Sequence, residues 1–373
     1  MDRAAKSLPK WADIILIPLI NLMMALGVSA VVIYFVGANP LEALKLMLQG
    51  AFGTSEGVGY TLYYATNFIF TGLAVAVAFH AMLFNIGGEG QAYIGGLGVA
   101  VVLLALDRYL PIWLLIPIAI MAAMVFGAAW AAVPAYLQAY RGSHIVITTI
   151  MFNFIAANFM VYLLVNVFIV KGGMIPQSRL FLDNAWLPTM KSIFHAIGIN
   201  ISESPLNLSF IFALVASFLV WIYIWHTRWG YEMRAVGFSE SSASYAGVKT
   251  KRVVMITMLI SGALAGLLGI NEIMGVQHRL MLDFVAGYGF TGIAVALMGR
   301  NHPVGIIMAS ILFGALFQGG AELSFDMPMI SKEMVFVIQG FIILFSGALT
   351  YMSKPWLERV FSLFYKNTDK SEV

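Results

Sequence analysis

Ile112-Trp-Leu-Leu-Ile-Pro-Ile-Ala-Ile-Met-Ala-Ala-Met-Val-Phe-Gly-Ala-Ala-Trp-Ala-Ala-Val-Pro-Ala-Tyr-Leu-Gln-Ala139 contains no Asp, Glu, Lys or Arg. About 20 helical residues cross the ~30 Å hydrocarbon core of a bilayer, and this run exceeds that. Lipid offers backbone groups no hydrogen-bond partner, so the run must satisfy its own and is read as a helix. Similar runs lie on both sides, near Ala12–Val36, Tyr60–Phe84, Ala92–Leu106, Ile145–Val170, Leu208–His226, Val253–Ile273, Phe284–Met298, Val304–Gln318 and Glu333–Met352. The expectation is an all-α, polytopic membrane protein with about ten transmembrane helices. The third and eighth segments are shorter than a full span, and both adjoin glycine-rich sequence.

Composition agrees. The chain is 61% hydrophobic and 10% charged, against roughly 25% charged in a soluble domain. There is no cysteine, which excludes disulfides and thiolate metal sites. A net charge of +3, spread through the loops, gives little support for a nucleic-acid groove. The apolar stretch after the basic Met1–Lys10 is too long for a cleaved signal peptide and reads as a retained span.

Lys and Arg set the expected orientation. With the N-terminus inside, 14 of the 21 basic residues face the cytoplasm, among them Arg141, Arg228, Arg234, Lys249, Lys251, Arg252 and Arg300. The bias favours N-in, C-in. It implies a cytoplasmic tail over 1–11, one transmembrane domain over 12–352 and a second tail over 353–373. The domain would carry a cytoplasmic connection at 227–252 and an external one at 171–207. Segments two to five and seven to ten then cross in opposite senses. Each set holds a glycine-rich break, Asn85-Ile-Gly-Gly-Glu-Gly-Gln91 and Ala286-Gly-Tyr-Gly-Phe-Thr-Gly292. That pattern is consistent with an inverted repeat built on broken helices, or simply with glycine being common in membrane helices.

Glu89 is the most informative side chain. A carboxylate at membrane depth must face protein or water. Glycines on both sides of it would break the helix and free amides to receive it, lining a translocation path. A solvated turn between spans two and three is the alternative. Asn153 and Thr149 share a helix face, four residues apart, and suit interhelical hydrogen bonding or a solute path. Asn271 and Glu272 end the seventh span and are expected to be solvated. Gly262 and Gly266 form a GxxxG, expected to pack helices closely. Gly287-Tyr-Gly-Phe-Thr-Gly292 spells a dinucleotide fingerprint, but no strand precedes it. No Walker A loop or HExxH occurs, so no ATPase motif, metal site or catalytic residue is expected.

The 227–252 connection holds a short helix. Ser239 can cap it, Glu240 suits its first turn, and Gly247 can end it. Gly237 suits a left-handed position ending the preceding helical turn. Two turns alone in water are unstable, so the segment should dock, on a partner, on its own membrane domain or on lipid.

Four pieces together carry a resemblance: Asn85–Gln91, His144–Asn153, Arg234–Val248 and Gly287–Pro303. They are similar to the permease subunits of the branched-chain amino acid/ribose class of ABC importers, and within it to the general nucleoside branch. The resemblance implies separate ATPase subunits that use the ATP, an extracytoplasmic lipoprotein that delivers solute, and a second, related permease. The membrane would be the plasma membrane of a prokaryote. It makes Glu240–Gly247 the coupling helix, with Arg234, Gly237, Glu240, Tyr245, Ala246 and Gly247 as coupling residues. The family's more basic stretch is here the serine-rich Ser239–Ser244. Asn85, Glu89, Gln91, Asn153, Tyr288 and Phe290 would line the path of a neutral nucleoside. A sugar or branched-chain amino acid permease is the alternative. An ion-coupled transporter would want several buried carboxylates along a path, and an intramembrane enzyme a nucleophile–base pair or metal cluster.

Overall fold

Backbone satisfaction in lipid demands helices, and the apolar runs form them. The computed structural model describes residues 16–347 except Lys171, Ile197 and Asn200. Fourteen α-helices follow one another among these residues: α1 (Ile17–Phe35), α2 (Pro40–Phe52), α3 (Ser55–His80), α4 (Gly88–Leu106), α5 (Ile112–Arg141), α6 (Ile145–Leu163), α7 (Met190–Ala196), α8 (Ser209–His226), α9 (Arg228–Phe238), α10 (Glu240–Tyr245), α11 (Thr250–Gly266), α12 (Tyr288–Met298), α13 (Pro303–Asp326) and α14 (Lys332–Gly347). The expected tails at 1–11 and 353–373 lie outside the described residues, as does the far end of the tenth apolar segment.

The chain divides into two compact units. Met1–Gly50 and Gly319–Val373 form one, in which α1 packs on α14. Ala51–Gln318 forms the other and holds α3 to α12.

Seven helical segments are long and apolar enough to span, or eight if α1 and α2 count as one broken span with a bend of 118°. The expected ten differ from this for physical reasons. The eighth segment forms only the 11-residue α12, about 16 Å long at 1.5 Å per residue. The third is a full-length helix after all, because α4 begins at Gly88 and runs 19 residues. The tenth contributes the 16 described residues of α14. The seventh is longer than expected. Beyond α11 the chain continues as a π-helix over Ile270–Gln277, giving a 28-residue span from Thr250 to Gln277.

Burial sorts these elements. α3 and the α11 span are largely enclosed, whereas α5 and α6 leave most of their residues at the surface, including Val125, Phe154 and Phe159. Apolar surface of that kind is what a lipid-facing helix presents. α5 and α11 pack backbone to backbone. A Cβ on Gly262 would overlap the Gly127 carbonyl and the Ala131 side chain, and one on Gly266 would overlap the Ala123 carbonyl. The expected GxxxG thus brings two backbones together.

The 171–207 connection is a structured cap. Its backbone pairs with the end of the π-segment and the turn beyond it, through Ser178 N–H to Leu280 (2.8 Å), Phe181 N–H to His278 (2.8 Å) and Leu187 N–H to Met274 (3.1 Å). Arg179 pins it further. Its guanidinium donates two bonds to the fully buried Asp107 carboxylate, at 2.7 and 2.9 Å, and a third to the Leu104 carbonyl. Burial pushes the Asp107 carboxyl up. The Arg179 guanidinium and the Leu182 amide that donate to it outweigh this, holding it below the usual carboxylate range.

Candidate translocation and coupling sites

Glu89 sits in the first turn of α4, half-buried. Its carboxylate does not turn back to its own helix. One oxygen accepts the Gly287 N–H at 2.9 Å and the other the Gly289 N–H at 2.8 Å. These amides belong to the N-terminus of α12, whose cap Gly287 has φ +78°. The expected receiving amides therefore exist, but they come from the second glycine-rich break, about 200 residues away. An anion at a helix N-terminus satisfies orphan donors and opposes the helix dipole. A Cβ on Gly289 would overlap the Glu89 backbone nitrogen, so only glycine lets the two turns meet. Among the described residues no cation pairs with Glu89.

The other expected path residues divide into two groups. Asn85, Gln91 and Asn153 are buried and spoken for by protein. Asn85 donates to Gln91 Oε1 (3.0 Å) and to Ser261 Oγ (2.8 Å), and accepts from the Gly87 amide (2.9 Å). Asn153 accepts the Gly90 N–H and donates to the Ile86 carbonyl, both at 2.9 Å. These amides hold the 85–91 turn against α6 and α11, which presents Glu89 to α12. Tyr288 and Phe290 differ. Tyr288 is buried one residue from both amides that bind Glu89, while Phe290 is 49% exposed.

Tyr288 joins an aromatic cluster that sequence reasoning missed. Its ring lies 5.6 Å from Phe68, 6.2 Å from Phe317 and 6.3 Å from Tyr64, at edge-on or tilted angles. Tyr64 and Phe317 are only half-buried. Beside the cluster, Glu272 is 1% exposed and accepts the Tyr63 hydroxyl and the Asn67 amide, each at 2.6 Å. Asn271, equally buried, accepts from Asn207 (2.9 Å) and Ser209 (2.7 Å) and donates to Asn67 Oδ1 (2.9 Å). The expectation that Asn271 and Glu272 are solvated is therefore wrong. The span does not stop at them. It widens into a π-helix, and π-segments inside α-helices often occur at functional sites. The signal that could have exposed this was on α3, where Tyr63 and Asn67 lie four residues apart and so share one face of a membrane span.

The 227–252 connection forms α9 and α10. Thr227 caps α9 by accepting the Gly230 N–H at 3.0 Å, and Ser239 caps α10 by accepting the Ser242 N–H at 3.3 Å. Glu240 opens α10, and Gly247 ends the segment at φ +86°. Gly237 does not take the expected left-handed position. It lies inside α9 in right-handed helix, and its missing Cβ is needed because the His80 carbonyl at the end of α3 fills that space. Of the coupling residues, Arg234 is half-buried against the membrane domain. Glu240, Tyr245, Ala246 and Gly247 are exposed, Tyr245 to 96%, and neighbouring Phe238 to 92%.

Residues 57–347 match the family described as branched-chain amino acid transport system / permease component. The chain belongs to this permease family. The permease is a multi-pass membrane protein and a subunit of the ABC importer type. It is 35% identical over 335 residues to the guanosine ABC transporter permease protein NupP of Bacillus subtilis, covering 89% of this chain and 92% of that one. It is 34% identical over 330 residues to the glucose ABC transporter permease protein TsgB13 of Haloferax volcanii, covering 88% and 86%. Against the nucleoside ABC transporter permease protein NupB of Lactococcus lactis it is 33% identical over 337 residues, covering 89% and 90%. No solved structure is a significant match.

Proposed function

We propose that this permease moves nucleosides across a prokaryotic plasma membrane, using ATP hydrolysed by separate ATPase subunits. It lies N-in, C-in, pairs with a second and related permease, and receives solute from an extracytoplasmic lipoprotein. The observation that carries this reading is the meeting of the two glycine-rich breaks at Glu89, with Tyr288 of the same turn entering a half-open aromatic cluster. A neutral nucleoside needs faces to stack on and hydroxyl or amide partners more than charge. Tyr64, Tyr288, Phe317 and the exposed Phe290 supply the faces. Two α-helix starts held by one carboxylate form a joint that breaks or forms as a unit, which suits alternating access. Support for the nucleoside itself comes from the guanosine and nucleoside permeases above. A sugar is the second reading, because the glucose permease is similar to the same degree.

Coupling is assigned to α10. Its six residues cannot persist alone, and Phe238 and Tyr245 stand in solvent as a docking face for the ATPase. The test is uptake of radiolabelled guanosine and glucose by vesicles holding the complex purified through a tag on this chain, with and without Ala246→Asp. ATP-dependent guanosine uptake that the substitution abolishes, while the protein still inserts, is expected. Glucose uptake instead of guanosine would replace the substrate. Unchanged transport and unchanged ATPase association in the variant would remove α10 from the coupling path.

A further inference from the structure

Three spans are largely exposed: α5, α6 with its π-helical end, and α8. Two of them present only apolar residues through their middle. α5 exposes Met121, Val125, Ala129 and Val133, and α8 exposes Leu214, Val215, Phe218 and Leu219. α6 differs. Asn158 is exposed and lies about 10 residues or more from either end of the 24-residue segment Ile145–Phe168, which is about 15 Å at 1.5 Å per residue. One of its amide N–H groups donates to the Phe154 carbonyl at 2.8 Å, one turn back on the same helix. The second N–H and the carbonyl oxygen bond nothing among the described residues. Hydrocarbon cannot satisfy them, and a polar group at that depth is costly unless protein or water meets it.

The surroundings of Asn158 narrow what meets it. α6 packs on its own chain through one stripe, in which Ile145, Thr149, Asn153, Ala156, Met160 and Leu164 are buried. At 3.6 residues per turn Asn158 falls on the opposite side. Exposed with it are Ile147, Met151, Phe154, Tyr162 and Val165. Together the six recur at spacings of four, three, four, four and three, which keeps one seam of a helix against another helix. A single Asn inside such a seam fixes register on the partner. Asn166, two turns on and also exposed, repeats the arrangement by donating to the Tyr162 carbonyl at 2.8 Å. Water would meet the amides and leave the apolar members of the stripe wet. A second membrane helix with a polar group at the same depth meets both.

We propose that the exposed face of α6 is the seam on which the second permease packs. The partner is a related permease chain that lays one of its spans along this stripe and offers an amide or hydroxyl side chain to Asn158 at mid-membrane. Met151, Phe154 and Tyr162 supply the apolar contact on either side, and Asn158 sets the register. The proposal rests on the reading above that this permease works beside a second, related one. It adds which face does the pairing, and it leaves the exposed faces of α5 and α8 to lipid. Because the opposite face of α6 holds the 85–91 turn through Asn153, one helix touches both the partner chain and the turn that carries Glu89.

The test uses membranes holding the whole complex, with the photo-reactive residue benzoylphenylalanine placed in turn at Phe154, Tyr162, Val125 and Phe218 of the full-length chain. Irradiation at 154 and 162 should join this chain to a second permease of the same family, identified by mass spectrometry of the product, whereas 125 and 218 should capture lipid. Capture of the second permease from 125 or 218 and not from 154 or 162 would move the seam off α6. A product made of two copies of this chain would overturn the related partner. Native mass spectrometry of the complex, purified through a tag on this chain, tests the pairing itself: a complex with no second permease sinks that reading, whatever the cross-links show. Asn158→Leu should lower the share of this chain that holds the second permease in detergent by about three- to thirtyfold, the range that amide bonds between membrane helices give. Asn158→Gln, which keeps the amide, should recover part of it. The thermal midpoint of the unpaired chain should not fall in Asn158→Leu, since the side chain bonds only its own helix. Pairing at the wild-type level in Asn158→Leu would remove Asn158 from the seam.

Discussion

Replacing Glu89 with Ala isolates the joint between the two glycine-rich turns. The carboxylate accepts two amide bonds, at 2.8 and 2.9 Å, from the start of α12. Each hydrogen bond to a charged group contributes about 1.5–3 kcal/mol, so the pair sums to about 3–6. Water re-enters a half-exposed site and recovers part of this, leaving ~2–3 kcal/mol. At 1.4 kcal/mol per factor of ten, local opening of the α12 N-terminus becomes roughly 30- to 150-fold more populated. Amide hydrogen exchange of the purified permease reads this at Gly287 and Gly289, with the middle of α5 as an internal reference. Glu89→Gln keeps one acceptor oxygen but turns an NH₂ group toward the second amide, so its exchange should fall between wild type and Ala. Uptake should decline in the same order while assembly persists. Exchange in Glu89→Ala within threefold of wild type at both glycines would refute the reasoning.

Gly262→Leu should lower the thermal midpoint of the permease, because a side chain there meets the Gly127 carbonyl and Ala131, and overpacking costs about 1–3 kcal/mol or more. Gly27→Ala is the contrast: nothing lies within 4 Å of the added methyl, and the substitution should stabilise the helix by the ~0.5–1 kcal/mol that alanine gains over glycine, so the midpoint should rise. Asp107→Asn should release the 171–207 connection to limited proteolysis at neutral pH by removing the charge that Arg179 faces. In wild type, Asp107 has its carboxyl held below the ordinary value, so the pair's contribution is complete above about pH 4 and is lost as pH falls through the lowered value; cleavage that rises between pH 8 and pH 6 would contradict this. Cysteines placed at Met174 and Ser242, both exposed, should label from opposite sides of the membrane; an impermeant reagent reaching both from outside would overturn the N-in orientation.

Much of the candidate site was legible residue by residue and illegible as an arrangement. A lone carboxylate among glycines marks Glu89 as special, because a charge at that depth needs donors. Which donors could not be read, since the amides that bind it lie about 200 residues away and backbone groups carry no sequence label. Ser239, Glu240 and Gly247 announced α10 through capping chemistry that acts within a few residues. Gly237 misled for the same reason, because a glycine required by close approach to His80 looks identical to one required by a left-handed turn.

From sequence alone came the helices, the membrane and the family, all of which rest on local quantities: apolar run length, capping residues and short motifs. Tertiary structure alone decided what each polar residue faces. Asn271 and Glu272 read as a solvated helix end, because the apolar run stops there. The fold instead extends that span as a π-helix and buries both against Tyr63, Asn67, Asn207 and Ser209. Burial of a polar group depends on partners from distant segments closing over it, and that is a property no window of sequence contains.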